Sequence, residues 1–362
     1  MESNTRTEKR TRGPLAEILC GESDSMKSTV SIALCTFNGE RFLREQLASY
    51  AAQTVLPDEV VVCDDGSTDG TLEILEEWAE TVPFEVRIFR NEQNLGYAQN
   101  FGKAVSLCTG GIIFLSDQDD VWMPEKIERM VRVFEEDPTI STVISDSEII
   151  DAEGHVCEGS SSGTAQLWYF DEAAAFCMDQ SPETFVGTRG CASAIRQEIR
   201  DLYLPIPQNW THDIWLMVTA PLAGRVVRLE EPLFRYRLYS GNTSNAGLFQ
   251  DRLKSCLWKR DNYFWNIETQ YWVWLPMIEE FRKRLSCLKD PAARKKMEKR
   301  LRLQDRYFTY RNRVQRNFLK CGVFWFLLIV QGTYFRFPFP WRSMKYDLVQ
   351  GFKKIFSTRR AK

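Results

Sequence analysis

Short apolar runs alternate with amphipathic stretches through the first third of the chain, and this alternation predicts repeated strand–helix units. The apolar runs are Thr29–Leu34, Glu59–Cys63, Val86–Arg90 and Gly111–Leu115. The stretches with helical spacing between them are Glu40–Ala51, Thr71–Glu80 and Ala98–Cys108. Strands that alternate with helices in this way form βαβ units and a parallel sheet. Ligands of such sheets bind beyond the carboxyl ends of the strands, so the chemistry is expected there.

Beyond Trp122 the regular alternation gives way to a less uniform series of elements. The predicted elements are an amphipathic helix over Pro124–Glu136, a strand over Ser141–Ser145, a polar loop over Asp151–Gly163, a helix over Thr211–Ala220, and paired strands over Arg225–Leu229 and Leu233–Leu238. From Phe249 onward the pattern is helical, aromatic and increasingly basic. The sequence therefore predicts a flexible leader over residues 1–28, a main domain over 29–245 and a helical, basic region over 246–362.

Charge divides the chain unevenly, although its formal net charge is only −2. Residues 281–362 carry 23 Lys and Arg against 4 Asp and Glu, whereas the remaining residues carry 24 against 45. An acidic body joined to a basic tail indicates that the two parts contact different partners. Hydrophobic residues make up 44% of the chain, so a well-filled core is expected.

The cysteines and histidines limit which cellular compartment and which kind of metal site are possible. Ten cysteines are scattered singly, without a Cys-x-x-Cys pair, and two of them, Cys35 and Cys63, fall inside apolar strands where a thiol behaves as a small hydrophobe. Met1–Ser28 lacks the apolar segment of a signal peptide, so a reducing, cytoplasmic compartment is expected. The only histidines are His155 and His212, which excludes a histidine-rich metal site.

Two acidic clusters directly follow predicted strands, at Asp64–Ser67 (D-D-G-S) and Asp117–Asp120 (D-Q-D-D). One Asp-Gly-Ser turn is ordinary turn chemistry. Two clusters at neighbouring strand ends crowd like charges, which is unfavourable without a cation. Carboxylate oxygens suit Mg²⁺ or Mn²⁺, which bridge protein carboxylates to substrate phosphates. The second cluster therefore predicts a metal–diphosphate site, and a solvated acidic loop is the alternative.

Four motifs, taken in their order along the chain, resemble those of the family 2 glycosyltransferases. They are Thr36–Leu43 (T-F-N-G-E-R-F-L), Asp64–Asp69 (D-D-G-S-T-D), Asn94–Gly96 (N-L-G) and Asp117–Trp122 (D-Q-D-D-V-W). Over Ser28–Asn245 the chain is most similar to the rhamnosyltransferase-like branch that builds bacterial surface polysaccharides such as O-antigen. The resemblance implies a GT-A fold, in which helices flank a Rossmann-like, mostly parallel sheet. It also implies a nucleotide-sugar donor, a divalent cation and inversion at the anomeric carbon.

The resemblance also implies donor-binding roles in the first two motifs. Thr36 and Asn38 match the segment that lines the nucleoside pocket. Asp65, with Asp64 beside it, matches the carboxylate that accepts a hydrogen bond from the base. Since uracil and thymine present the same N–H edge, a UDP-linked and a dTDP-linked donor are equally compatible with this carboxylate.

Two aspartates of the second cluster match the D-x-D motif of the family. The resemblance assigns Asp117 to the nucleotide and Asp119 to the metal, which would be Mn²⁺ or Mg²⁺. Asp120 is instead expected to begin the next helix, since Pro124 stands where a helix N-terminus is predicted.

Inverting transfer needs a base that takes the proton of the acceptor hydroxyl. Thr211–Trp215 (T-H-D-I-W) resembles the acidic pair that begins a helix near the acceptor in the family, and Asp213 matches the base. The alternative is that Asp213 only stabilises the helix N-terminus. His212 is expected to support the site or contact the substrate, not to bind the metal.

The segment Arg235–Ser244 (R-Y-R-L-Y-S-G-N-T-S) resembles the closing segment of the family. Tyr239 stands where the family usually has a histidine, which contacts the metal in some relatives, and it is a candidate contact of the diphosphate or the acceptor. Arg237 or Arg235 is a candidate to neutralise the leaving diphosphate, because guanidinium groups bind phosphate oxygens well. A surface arginine on an edge strand is the alternative for either one.

The most apolar run, Val323–Val330, is far shorter than the ~20 residues that span a bilayer. The aromatic and basic residues that follow it are Tyr334, Phe335, Arg336, Phe337, Phe339, Trp341 and Arg342. Aromatic rings beside cations favour an interface with anionic lipid, so peripheral association with the inner face of the cell membrane is expected. An ordinary buried helix is the alternative, whereas nucleic acid is excluded as a partner because no RNA- or DNA-binding motif is present.

These patterns together predict an inverting glycosyltransferase that moves rhamnose or another hexose from a nucleoside diphosphate to a polysaccharide or lipid-linked glycan acceptor. A dehydrogenase is excluded because G-x-G-x-x-G is absent after the first strand. A nucleotidyltransferase is disfavoured because no Gly-rich phosphate loop is present near the N-terminus. A catalytically inactive module that binds nucleotide sugars on the same fold stays open as the alternative.

Overall fold

The computed structural model describes residues 28–157, 189–208, 210–239, 278–288, 291–316, 326 and 329–330. Six predicted features therefore lie wholly or partly outside the described residues. They are the leader up to Lys27, the polar loop after Cys157, the closing segment after Tyr239, the helical pattern from Phe249 to Met277, the apolar run Val323–Val330 and the aromatic and basic run from Tyr334 to Arg342.

Eight strands form one sheet in the described part of the chain. They are β1 (Val30–Thr36), β2 (Glu59–Asp64), β3 (Glu85–Arg90), β4 (Ile112–Ser116), β5 (Val121–Trp122), β6 (Ile140–Ile150), β7 (Ser193–Arg196) and β8 (Arg225–Arg237). The helices are α1 (Glu40–Ala51), α2 (Thr71–Ala79), α3 (Tyr97–Leu107), α4 (Lys126–Glu136), α5 (Arg200–Tyr203), α6 (His212–Ala223) and α7 (Pro291–Arg316).

The strand order is β3-β2-β1-β4-β7-β6-β8-β5. Strands β3, β2, β1 and β4 run parallel, and β7 is inserted antiparallel between β4 and β6. Every residue of β1, β2 and β4 is buried, as expected for parallel strands that are covered on both faces. The predicted α/β architecture is confirmed: helices flank a mixed, mostly parallel sheet, which is the GT-A arrangement that the resemblance implies.

The helical character of the basic C-terminal extension is confirmed for its described part by residues 278–284 and by α7. Two contacts join the first of these segments to the main sheet domain. The Phe281 ring stacks on Trp215 with centroids 5.2 Å apart, and the Arg284 guanidinium donates to the carbonyl oxygen of Pro205. Among the helices that the structure describes, none combines the length and apolarity needed to cross a membrane.

The predicted pair of strands after residue 224 is wrong, because β8 is one strand of 13 residues. Glu230, Glu231 and Pro232 suggest a turn in the sequence. In the structure this stretch instead lies where the register between β6 and β8 shifts, and Pro232 stands opposite Asp146. Such an irregularity tolerates a residue without an N–H donor, so the strand continues through it.

The expectation that Asp120 begins a helix is also wrong. The next helix, α4, begins at Lys126, and its N-cap residue is Glu125. The short strand β5 lies between Asp120 and this helix and pairs with β8. Asp120 therefore lies at the sheet, where its side chain is buried.

Candidate active site

The predicted site residues gather where β1, β2 and β4 end. Thr36 is the last residue of β1 and pairs in register with Asp64, the last residue of β2. On the other side of β1, Leu34 pairs with Ser116, so Asp117 follows directly at the same edge. The parallel sheet thus brings together the three motifs that are separated along the chain.

Asp64 organises the turn that follows β2. Its Oδ2 accepts hydrogen bonds from the backbone N–H groups of Gly66 and Ser67, at 3.1 and 2.9 Å. Its Oδ1 accepts from the Thr36 hydroxyl at 2.9 Å and from the Ser67 hydroxyl at 2.5 Å. Because these donors surround a side chain with no exposed surface, Asp64 and Thr36 support the turn from inside the protein.

Asp65 holds the N-L-G loop against the end of the sheet. Its Oδ1 accepts from the Asn91 side chain and from the Leu95 backbone N–H, both at 2.8 Å. Its Oδ2 accepts from the backbone N–H of Gly96 at 2.9 Å. Gly96 has a φ of +80°, a conformation that side chains other than glycine rarely adopt. The carboxylate and the loop therefore fix each other's position.

A cleft of about 400 Å³ opens beside this turn. It is lined by Asp65, Gly66, Arg90, Asn91, Glu92, Gln93 and Asn94. The Arg90 guanidinium donates to the Ser67 carbonyl oxygen at 3.2 Å, which fixes one wall of the cleft. All the lining residues except Gly66 carry polar or charged side chains, and the cleft lies at the carboxyl ends of β2 and β3, where ligands of parallel sheets bind.

Asn38 and Gln118 tie the ends of neighbouring strands together. Asn38 has a φ of +49°, which asparagine tolerates better than most residues, and its side-chain oxygen accepts from the Thr68 backbone N–H at 2.8 Å. The Gln118 amide pairs with both backbone groups of Phe37, at 2.8 and 3.0 Å. These bonds fix the Phe37 backbone, and its ring is exposed.

The second turn places carboxylates around a buried thiol. Asp117, Asp120 and Cys191 each present one ligand atom, and these atoms lie within 4.8 Å of one another. Asp120 is 1% exposed, and its Oδ1 accepts from the Arg237 backbone N–H at 3.3 Å. Its Oδ2 has no hydrogen-bond partner among the described residues, which is costly for a buried carboxylate.

Burial raises the pKa values of all three aspartates in this turn, and the charges of neighbouring aspartates add to the shifts of Asp117 and Asp120. Burial, followed by the charges of Asp119 and Asp120, raises the pKa of Asp117 well above its usual range. Burial and the charge of Asp119 raise the pKa of Asp120 to about 7. Burial also raises the pKa of Asp119, against the opposing effect of its hydrogen bond from Tyr239. The turn therefore holds more negative charge than its surroundings compensate.

Lys126 supplies a buried cation behind this turn. Its ammonium group donates to the Cys191 carbonyl oxygen at 2.7 Å and lies 4.1 and 4.3 Å from the ring centroids of Trp122 and Phe234. Burial lowers the pKa of Lys126 to about 8, and the charge of Asp120 opposes that shift. The lysine is thus a fixed counter-charge that offsets part of the acidic cluster.

The end of β8 contacts the second turn from the other side. The Tyr239 hydroxyl donates to Oδ2 of Asp119 at 2.9 Å. The Arg237 side chain has no exposed surface, and its guanidinium donates to the Asp119 carbonyl oxygen at 3.0 Å and to Glu45 at 2.6 Å. Arg235 pairs with Glu148 at 3.2 Å. Both arginines are therefore held by acidic partners, and Arg237 braces the loop that carries Asp119.

Asp213 and His212 begin α6 near the acidic turn. Burial is the largest cause of the raised pKa values of Asp117 and Tyr97, and the negative charge of Asp213 raises both further. The Asp213 carboxylate therefore lies within electrostatic reach of both groups. The His212 ring is buried and stacks on Phe101 with centroids 3.9 Å apart. Burial lowers the pKa of His212, so the imidazole is neutral at pH 7. The stacked ring packs His212 against α3 at the start of α6, next to the partly exposed Asp213. Neither ring nitrogen has a hydrogen-bond partner among the described residues.

The sequence did not single out Lys126, Cys191, Gln118 or Asn91. In the sequence, Lys126 looks like a solvent-exposed position of an amphipathic helix, and no local pattern indicates that aromatic rings enclose its side chain. Cys191 comes from a separate part of the chain and reaches the site only through the insertion of β7 beside β4. Of these four residues, Asn91 has the clearest signal in the sequence, because it is a polar residue directly after a predicted strand.

The second turn fits a hard divalent cation on the chemistry of its donors. Asp117 and Asp120 offer carboxylate oxygens within 4.8 Å of each other, whereas Asp119, which the resemblance assigns to the metal, is not part of this group. Oδ2 of Asp120 is buried without a hydrogen-bond partner among the described residues. Burial raises the pKa of the Cys191 thiol well above its ordinary value, so Cys191 stays protonated and is a poor ligand. The ligand set is therefore oxygen, which suits Mg²⁺ or Mn²⁺.

Comparison with known proteins relates this chain to glycosyltransferases. Residues 31–172 match the model of glycosyl transferase family 2. An uncharacterized glycosyltransferase of Nostoc is 30% identical over 219 residues, which cover 59% of this chain and 66% of the relative. An uncharacterized glycosyltransferase of Haemophilus influenzae is 27% identical over 240 residues, which cover 64% of this chain and 72% of the relative.

Among solved structures, the chain is similar to a mannosyltransferase from Pyrobaculum calidifontis in complex with GDP-Man and Mn²⁺. That similarity has a TM-score of 0.47 at 16% identity and covers 92% of this chain and 88% of the other. The family match over residues 31–172 and the two sequence relatives support a family 2 glycosyltransferase.

Proposed function

We propose that this protein is a metal-dependent, inverting glycosyltransferase that moves a sugar from a nucleoside diphosphate to a glycan acceptor. The observation that carries the proposal is the acidic turn Asp117–Asp120, in which carboxylates are crowded and Oδ2 of the buried Asp120 has no hydrogen-bond partner among the described residues. Such a site gains stability when a divalent cation binds, and a cation held there faces the same sheet edge as the cleft at Asp65.

The donor nucleoside is proposed to bind in the cleft at Asp65, with Asn38 and Phe37 at its edge. Asp64 and Thr36 act from beneath by holding the turn. Asp119 would hold the metal, and Asp117 would contact the donor nucleotide. A bound Mg²⁺ or Mn²⁺ would neutralise charge on the diphosphate as it leaves. The donor is proposed to be UDP- or dTDP-linked, with rhamnose or another hexose as the sugar.

Asp213 is the proposed general base. Its carboxylate would take the proton of an acceptor hydroxyl while the hydroxyl oxygen bonds to the anomeric carbon. The bond from that carbon to the diphosphate oxygen breaks in the same step, and the nucleoside diphosphate leaves with the electron pair. Attack from the face opposite the leaving group inverts the anomeric centre. The acceptor is proposed to be a polysaccharide or a lipid-linked glycan.

The first test is a thermal-shift series with UDP, dTDP and GDP, each with and without Mn²⁺. We expect one nucleotide to raise the melting temperature, and the rise should require the metal. UDP-, dTDP- and GDP-linked sugars are then each incubated with the protein and Mn²⁺, and release of the nucleoside diphosphate is measured. Metal-dependent stabilisation without donor hydrolysis or transfer would favour an inactive nucleotide-sugar-binding module, and no shift with any nucleotide would contradict the donor site.

The basic region is proposed to associate with an anionic membrane surface at the cytoplasmic face. Helix α7 carries ten Lys and Arg against two Asp and Glu, which supports attraction to anionic lipid. This role is tested by flotation of the protein with two kinds of vesicles, one of neutral lipid alone and one of neutral and anionic lipid. The protein is expected to float with the vesicles that contain anionic lipid. Removal of the residues after Lys320 should weaken retention on anionic vesicles, with the melting temperature of the remaining protein as the control for folding. Unchanged retention of the folded, shortened protein would contradict the proposal.

A further inference from the structure

The Tyr239 hydroxyl makes a specific contact with the carboxylate that the proposed function assigns to the metal. It donates to Oδ2 of Asp119 at 2.9 Å. Among the described residues, no other residue donates a hydrogen bond to this carboxylate. The two oxygens of Asp119 therefore differ in their side-chain contacts, because Oδ2 accepts from the phenol whereas no described side chain donates to Oδ1.

The Tyr239 ring is held in place independently of its hydroxyl. Its centroid lies 4.7 Å from that of the buried Phe42 ring, with an interplanar angle of 58°. The Arg237 guanidinium lies 4.6 Å from the centroid of the same Phe42 ring. Removal of the hydroxyl should therefore leave the aromatic ring in position, as in a Phe substitution.

The backbone of the acidic turn is also held without the Tyr239 hydroxyl. Arg237 donates from its guanidinium to the Asp119 carbonyl oxygen and from its backbone N–H to Oδ1 of Asp120. Glu45 on α1 in turn binds the guanidinium at 2.6 Å. The hydroxyl thus controls the orientation of one carboxylate, whereas Arg237 controls the position of the loop.

Divalent cations differ in how they use a carboxylate. Ca²⁺ takes six to eight oxygens in flexible geometry and often binds both oxygens of one carboxylate. Mg²⁺ demands a near-octahedral arrangement and usually binds one oxygen of each carboxylate. A carboxylate with one oxygen engaged by a phenol offers mainly the other oxygen to an ion.

We infer that Tyr239 is a positioning residue that holds Asp119 as a one-oxygen ligand and thereby favours Mn²⁺ or Mg²⁺ over Ca²⁺. The inference rests on the proposed metal site, and it adds an ion selectivity that is set by a residue outside the acidic turn. In this arrangement the phenol is not a metal ligand, and it acts only through the Asp119 carboxylate.

The test is Tyr239→Phe in the full-length protein, with direct measurement of ion binding. Binding of Mn²⁺ is followed by electron paramagnetic resonance with and without UDP, and binding of Ca²⁺ by its competition with Mn²⁺. We expect the Kd for Mn²⁺ to rise about 10-fold, as is typical when an outer partner of a metal ligand is lost. The Kd for Ca²⁺ should stay unchanged or fall, because Oδ2 becomes available to it.

The matched control is Tyr50→Phe, which also removes a buried phenol hydroxyl. Tyr50 donates to the Ser116 hydroxyl at 2.6 Å and does not contact Asp119. This control should leave the ratio of the two Kd values at its wild-type level. A melting temperature for each variant separates a loss of folding from a loss of ion selectivity.

Two results would overturn the inference while the metal site itself stands: an unchanged Kd for Mn²⁺ in Tyr239→Phe, or an equal weakening of both ions. Absence of Mn²⁺ binding in the wild-type protein, with and without UDP, would instead overturn the metal site and the inference together. The wild-type titration therefore distinguishes failure of the proposed function from failure of the role of Tyr239.

Discussion

Two aspartate-rich turns end neighbouring parts of the same sheet, yet their surroundings differ sharply. In the turn after β2, the carboxylates of Asp64 and Asp65 accept seven hydrogen bonds from backbone N–H groups, hydroxyls and the Asn91 amide. In the turn after β4, the carboxylates crowd one another, and Oδ2 of Asp120 has no partner among the described residues.

The difference shows that acidic composition alone does not identify a metal site. Buried carboxylates that are surrounded by donors are stable as anions and hold the fold together. Buried carboxylates that face one another retain an electrostatic cost, which a cation can remove. We therefore expect substitution of Asp64 in the first turn to affect stability, and substitutions in the second turn to affect metal binding and turnover.

The largest effect is expected from Asp119→Asn. Transfer should fall by about 10³-fold or more, because the proposed metal ligand is lost at the position where charge develops on the leaving group. Thermal stability of the metal-free protein should be unchanged or higher, since one of several repelling charges is removed. Steady-state transfer and calorimetry measure the two quantities, and wild-type transfer rates would refute the metal assignment.

Asp213→Asn is expected to lower turnover by about 10²-fold or more while donor binding stays close to wild type. The reason is that a general base acts on the acceptor and makes no contact with the bound nucleotide. Turnover and donor affinity are measured separately, by transfer rates and by calorimetric titration. Asp201→Asn, which makes the same change in the first turn of α5, serves as the control. A parallel fall in donor affinity would show that Asp213 is not the base.

Asp64→Asn tests the first turn with the same chemical change that Asp119→Asn makes in the second. It should lower the free energy of unfolding by about 2–4 kcal/mol, because an amide cannot accept from all the donors that surround this buried position. Denaturant unfolding of the two variants side by side gives the comparison. Equal stability losses in both would mean that the two turns do not differ as their hydrogen bonds indicate.

The smallest effect is a pH dependence that Asp120 imposes on the metal-free protein. Its pKa is raised from 3.8 to about 7 on folding, so the folded protein binds the proton more tightly than the unfolded chain. This contribution to stability is complete below about pH 4 and is lost as the pH rises through 7. The melting temperature of the wild type, relative to Asp120→Asn, should therefore fall between pH 5 and pH 7.5 in chelator. A constant difference across this range would contradict the raised pKa.

The parallel half of the fold could be predicted from the sequence because its signals are local. Buried strands such as β2 and β4 appear as uninterrupted apolar runs, and their order with the intervening helices fixes a parallel arrangement. The second half contains signals that point the wrong way when read locally. Glu230, Glu231 and Pro232 resemble a turn, but the long strand β8 passes through them as an irregularity beside β6.

The site divides in the same manner. Asp65, Asp119 and Asp213 lie in recognisable motifs, and the fold brings the first two to the same edge of the sheet. The buried position of Lys126 and the contact between Cys191 and the acidic turn depend on packing between distant segments. The predicted roles of Arg235 and Arg237 at the diphosphate stay predictions, but the partners of these arginines, Glu148 and Glu45, explain their placement more directly.

The insertion of β7 between β4 and β6 has a practical consequence for anyone who expresses part of this protein. A fragment that stops at residue 172, where the family match ends, would contain β4 and β6 but neither β7 nor β8. The hydrogen-bonding edge of β4, whose five residues are all buried in the full sheet, would then face solvent. Unprotected apolar edges recruit strands from other molecules, so such a fragment should aggregate. A usable fragment needs at least the chain through Tyr239.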